Sequence, residues 1–145
     1  MGFRRSSREL AMQALFFMDF GKYGEEEAYR LFCINFEPTG DVLPFFEKLV
    51  RGTLDNRGEI DRKIEMFSSN WKLSRMSGVD RNVIRIAVYE LLFCPDIPSK
   101  VSINEAIDIG KKYGTADSGA FINGILDAIA VDIETQSSSE SNPSS

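Results

Sequence analysis

The chain has 145 residues, 43% hydrophobic and 27% charged, a balance ordinary for one soluble globular domain. A formal net charge of −5 argues against indiscriminate nucleic-acid binding, and the absence of histidine removes the commonest general base and metal ligand. No apolar run approaches the roughly 20 residues of a membrane span, and Cys33 and Cys94 make neither a metal pattern nor a disulfide framework, so a reduced, cytoplasmic protein is expected.

Charge is unevenly placed at the start, where Arg4, Arg5 and Arg8 stand against Glu9 alone. Such an arm on an acidic body marks either a local phosphate site or a solvated terminus, and charge alone does not separate them. Ser6 and Glu9 have the spacing of a capping box, predicting a helix that runs to about Phe20 and stops at Gly21. On a helical wheel Leu10, Ala11, Ala14, Leu15, Phe17 and Met18 form a core face. Met12, Phe16 and Phe20 fall opposite, among Glu9, Gln13 and Asp19. That second apolar set reads as a protein-binding patch, or as the other side of a helix packed on both faces.

A second helix is expected from about Glu25 to Phe36, ended by Pro38, and a third after Asp41 with Pro44 in its first turn. Phe45, Phe46, Leu49, Val50 and Thr53 give the third its buried face. Ile60, Ile64 and Phe67 pattern a fourth helix over roughly 58–68, and Trp71 and Leu73 fill a link. Ser77, with Asp80 three residues on, opens the next helix, and Pro95 and Pro98 close it. Its segment RNVIRIAVYELLF (residues 81–93) is apolar on nearly every side, which predicts a rod wrapped by other helices. Arg81, Arg85 and Glu90 lie in that rod, and buried charges need partners; an arginine of the central region is the expected partner of Glu90.

Ser102 and Glu105 have the spacing of another capping box, opening a helix that ends at Gly114. Asp117 is placed to cap the last helix, whose inward residues are Phe121, Ile122, Ile125, Leu126 and Ile129. Gly124 in its middle suggests close approach by another backbone. From Thr135 the composition turns to Ser, Glu, Asn, Gln and Pro, predicting a disordered polar tail over 135–145 behind one helical domain over 1–134. The fold expected is all-α, a compact bundle of about seven helices around a buried central helix. No Gly-rich phosphate loop, nucleophile elbow or paired-carboxylate spacing appears, so no catalytic residue, cofactor or metal is expected.

Several blocks together resemble the NusB family of bacterial transcription antitermination factors. They are the arginine-led start running into Gln13-Ala14-Leu15, the stretch from Asp80 through Arg85 to Tyr89-Glu90-Leu91, and Asn104-Glu105-Ala106-Ile107. The fourth is Lys112-Tyr113-Gly114 continuing through Asp117-Ser118 to Phe121-Ile122-Asn123-Gly124-Ile125-Leu126-Asp127. Each block alone is weak; their order and spacing carry the resemblance, which extends to about residue 131.

The resemblance implies a protein that binds boxA-type single-stranded RNA together with NusE, a small-subunit ribosomal protein, and joins the RNA polymerase elongation complex on ribosomal RNA operons. By position, Arg4, Arg5 and Arg8 match the family's RNA-binding arm, Asp117 and Phe121 match positions near the RNA, and Phe16 and Asp80 match positions of NusE contact. Ser6 stands where some relatives carry a further arginine, so the basic arm is sparser here. Some relatives form homodimers, which leaves the assembly open. Others are fused to RNA methyltransferase domains, for which this chain has no room. Arg8→Glu is expected to weaken RNA binding with unfolding nearly unchanged. The rival reading is a helical protein-interaction adaptor without direct RNA contact.

Overall fold

The arrangement of helices is organised by α5 (Gly78–Phe93), whose residues Asn82 to Glu90 are all buried in the computed structural model. The structure describes residues 2–69 and 71–140. Before α5 come α1 (Phe3–Met18), α2 (Glu25–Phe36), α3 (Leu43–Asp55) and α4 (Arg57–Phe67); after it come α6 (Ser99–Tyr113) and α7 (Ser118–Glu140). Short 3-10 turns at Gly40–Val42 and Leu73–Arg75 join α2 to α3 and α4 to α5. No strand occurs among the described residues, and α5 packs against α1, α3, α4, α6 and α7. The all-α bundle wrapped round a central rod is thus the one its apolar pattern predicts. No helix among the described residues is long and apolar enough to cross a membrane.

The core interleaves Phe46, Leu49 and Val50 of α3, Ile60 and Ile64 of α4, and Ile84 and Val88 of α5 with Ile122, Leu126 and Ile129 of α7, all without exposed surface. Each such side chain contributes about 1.5–3 kcal/mol on leaving water. α3 approaches α5 closely at Gly52, where a Cβ would lie 2.2 Å from the Tyr89 ring. Only glycine fits there without moving that ring.

The charged residues of the rod are satisfied by neighbours. Arg85 donates to both carboxylate oxygens of Asp61, at 2.8 and 3.1 Å, and to Asp19 at 3.2 Å. Asp19 also accepts from Arg81 at 3.0 Å and from Asn82 at 2.8 Å. Burial alone would raise the Asp19 pKa, but these donors outweigh it and hold the carboxyl below its ordinary value. Glu90 is paired too, although its cation comes from α1 and not from the central region: Arg8 reaches it bidentately.

Several local expectations are corrected. α1 begins at Phe3, three residues before the anticipated cap, and Ser7 donates to the carbonyls of Phe3 and Val42. α6 begins at Ser99, so Ser102 lies inside it and donates to Glu90 at 2.7 Å. Both presumed capping boxes sit within helices, with Ser102, Glu9 and Glu105 spent on contacts between helices. The box at α5 does form its first half, with the Asp80 N–H donating to Ser77 Oγ at 3.1 Å. Gly124 faces open space and not a neighbouring backbone, since a Cβ there would meet nothing within 4 Å. Finally, α7 continues through 135–140, where a disordered tail was expected. Thr135 donates to the Val131 carbonyl and Gln136 to Asp132, and extending an existing helix avoids the cost of nucleation. Residues 141–145 of that expected tail lie outside the described residues.

Candidate nucleic-acid and partner interface

The first turns of α1 bring Arg5 and Arg8 to α6 and leave Arg4 beside Asp96 and Phe45, so the three guanidinium groups meet different fates. Arg4 is exposed, 3.8 Å from Asp96 and stacked over the Phe45 ring at 4.8 Å. Arg5 donates from Nε and Nη2 to Glu105 at 2.8 and 2.6 Å, and from Nη2 to Asp108 at 2.9 Å. Arg8 is enclosed at 4% exposure; its Nε and Nη2 both bond Glu90 at 2.8 Å and its Nη1 bonds Glu105 at 3.1 Å. Arg8, matched by position to the RNA-binding arm, is thus enclosed here with Nε, Nη1 and Nη2 each bonded to a carboxylate, because Glu90 on the buried rod requires a cation. Glu105 bridges the two arginines, and the hydrogen bond from Arg5 holds its carboxyl below the ordinary value.

Further along the same seam, Lys112 reaches Glu9 of α1 at 3.2 Å, and the Tyr113 hydroxyl donates to Glu9 at 3.1 Å. Beyond Tyr113 the chain turns into α7. The Thr115 N–H donates to Ser118 Oγ at 2.9 Å, and the Asp117 carbonyl accepts from the Phe121 N–H at 3.1 Å. Asp117 thus stands at the residue before the helix, its expected place.

Asp117 and Phe121 line a surface pocket of about 310 Å³ together with Asp80 and Ser77 at the start of α5. Trp71, Arg75 and Met76 complete it. Trp71 is 55% exposed and meets Phe121 edge-on, with ring centres 6.4 Å apart. The structure therefore gathers Asp80, Asp117 and Phe121 in one place, although the resemblance divides them between two ligands. Trp71 and Arg75 are the residues that sequence reasoning missed, having taken this stretch for a link. The available signal was an aromatic residue beside Lys72 and Arg75 with no helical apolar period to account for it.

Phe16 lies in a second, apolar groove of about 380 Å³, lined by Gln13, Phe16, Phe17, Phe20, Phe36, Val79 and Tyr113, with Met12 and Phe32 at its base. Phe16 is 37% exposed and Phe20 72%, whereas Met12 of the same helix side is buried. Both faces of α1 are therefore in use, one in the core and one partly open. The Phe16 ring rests on Gly78, where a Cβ would fall 2.5 Å from the ring. Tyr113 belongs to both regions, lining the groove and bonding Glu9 on the arginine seam.

The family model for NusB matches residues 5–131. The chain belongs to the NusB family. The transcription antitermination protein NusB of Desulfatibacillum aliphaticivorans is 57% identical over 140 residues, covering 97% of this chain and 98% of its own. That of Desulforapulum autotrophicum is 54% identical over 133 residues, covering 90% and 93%. Among solved structures, T. maritima NusB superposes with a TM-score of 0.78 at 41% identity, covering 89% of this chain and 91% of that one. A NusB chain crystallised with the antitermination factor NusE and dsRNA gives a TM-score of 0.81 at 27% identity, covering 91% and 98%. Apart from Arg4, the seam, the pocket residues and the groove fall within the matched span.

Proposed function

We propose that this protein is a transcription antitermination factor that binds boxA-type single-stranded RNA jointly with NusE and promotes processive transcription of ribosomal RNA operons as part of the RNA polymerase elongation complex. The observation that carries the reading is the position of Tyr113, which lines the apolar groove and bonds Glu9 on the seam that carries Arg4, Arg5 and Lys112. The crystal of NusB and NusE with dsRNA supports NusE and RNA as the two ligands.

In this reading the strand runs from Arg4 and Arg5 past Lys112 to the Trp71–Phe121 pair. From Glu105 to Lys112 the α6 seam spans about 10 Å at 1.5 Å per residue, enough for two or so nucleotides. The exposed rings stack bases and Arg4, Arg5 and Arg75 meet phosphates. Asp117 and Asp80 flank the aromatic pair, with Asp80 at its border with the partner groove through Val79. Phe16 and Phe20 anchor NusE. Arg8 acts from inside, fixing Glu105 and hence the position of Arg5.

The deciding experiment is an anisotropy titration of labelled boxA, scrambled and duplex RNA with and without NusE. The expected result is tightest binding of boxA by the pair. The adaptor reading is favoured by one observation, that Arg5 and Arg8 are engaged by carboxylates. It requires that this protein leave the RNA affinity of NusE unchanged, and that outcome would replace the proposal. A mass determination in solution separates the heterodimer from a homodimer built on the same groove.

A further inference from the structure

Between exposed Arg4 and enclosed Arg8, Arg5 is intermediate: its side chain is 37% exposed, yet Nε and Nη2 give three hydrogen bonds. The acceptors, Glu105 and Asp108, lie three residues apart and so share one face of α6. Together they offer the guanidinium a fan of oxygens of the kind a phosphate offers. The two carboxylates are not equivalent. Glu105 is 21% exposed and is also held by Arg8, which ties it to the fold. Asp108 is 53% exposed, and among the described residues it bonds Arg5 alone. An exposed pair of this kind adds little to stability, so stability does not account for it.

We propose that Asp108 is an intramolecular competitor for the phosphate that Arg5 binds, a latch that keeps Arg5 closed to ligands making a single phosphate contact and opens when a strand making several contacts displaces it. The inference rests on the RNA-binding reading above and adds its regulation. A ligand carrying a single phosphate gains the Arg5 contact only by losing the Asp108 contact, so its net gain is small. A strand that engages Arg4 and the aromatic pair at the same time holds the phosphate at Arg5 and wins the exchange. The latch is therefore a threshold against nucleotides and inorganic phosphate, and Glu105 is the fixed wall against which it closes.

The test uses the full chain with NusE and labelled boxA RNA, comparing Asp108→Asn, Arg5→Gln, the double variant, and Glu134→Gln as a control for net charge. Asp108→Asn should tighten binding roughly three- to five-fold, the factor that corresponds to losing one exposed charge pair. The gain should vanish in the Arg5→Gln background, and Glu134→Gln should give a smaller change. No tightening, or tightening that persists without Arg5, would overturn the latch. If the wild-type pair binds no RNA, the RNA reading itself falls. The latch is then decided by titrating inorganic tripolyphosphate while following the Arg5 Nε–H resonance. Tighter binding by Asp108→Asn than by wild type supports it, and equal binding refutes it.

Discussion

Arg8 and Glu90 show how a single pairing sets what a residue is for. Glu90 is 1% exposed, and Arg8 together with Ser102 supplies its hydrogen bonds. Removing one partner of a buried pair leaves the other charge uncompensated, at a cost of about 3–5 kcal/mol. Arg8→Ala should therefore lower stability by about that amount, read from urea unfolding, whereas Arg5→Gln should change it by about 1 kcal/mol or less because that pair is part-exposed. A near-normal midpoint for Arg8→Ala would show that Glu90 finds another donor. This reverses the sequence-based expectation that replacing Arg8 leaves unfolding unchanged. The sequence displayed both halves of the problem, a basic arm and an acid inside an apolar arc. It could not join them, because 82 residues of chain separate the two and pairing depends on where α1 crosses α5.

At the scale of helices, periodicity was informative and capping patterns less so. The seven α-helices among the described residues follow from apolar spacing and from Gly and Pro stops, since those signals report burial over a whole element. A Ser-x-x-Glu pair is a local signal that any interhelical partner can override, as Arg5, Lys112 and Glu90 do here. Glycines obey the same logic. Gly124 was read as a close approach and Gly52 went unremarked, yet Gly52 abuts Tyr89 and Gly124 abuts nothing. Both lie in helix interiors, where Ala is favoured over Gly by about 1 kcal/mol. Gly124→Ala should raise stability by roughly that amount, while Gly52→Ala should lower it by about 1–3 kcal/mol as Tyr89 is displaced. Opposite shifts in the thermal midpoint are the check, and a stabilised Gly52→Ala would mean that the Tyr89 ring moves aside at little cost.

At the scale of the molecule, a net charge of −5 has to be reconciled with the polyanionic ligand proposed above. Many of its cations are paired internally, which leaves few for a strand. Arg5, Arg8, Arg81, Arg85 and Lys63 all pair with its own carboxylates. On the proposed track Arg4 is loosely paired, and Arg75 has no ion pair among the described residues. The composition announced the shortage, and the resemblance announced the arm, but only the fold shows which cations remain. Binding to a single strand weakens with salt at a slope of about 0.7 per phosphate neutralised. Two or three contacts by this chain alone give a slope of about −1.5 to −2 for log affinity against log salt. Adding NusE should steepen that slope if the partner adds phosphate contacts of its own, as joint binding requires. Arg4→Gln should flatten it by about 0.7 in either state, whereas a variant that breaks the Phe16–Phe20 groove should remove only the increment that NusE adds. Titrations at several salt concentrations, with and without NusE, measure all three. A slope for the isolated chain as steep as that of the pair would mean that the internal pairs open on binding and that the acidic body gives up its arginines to the strand.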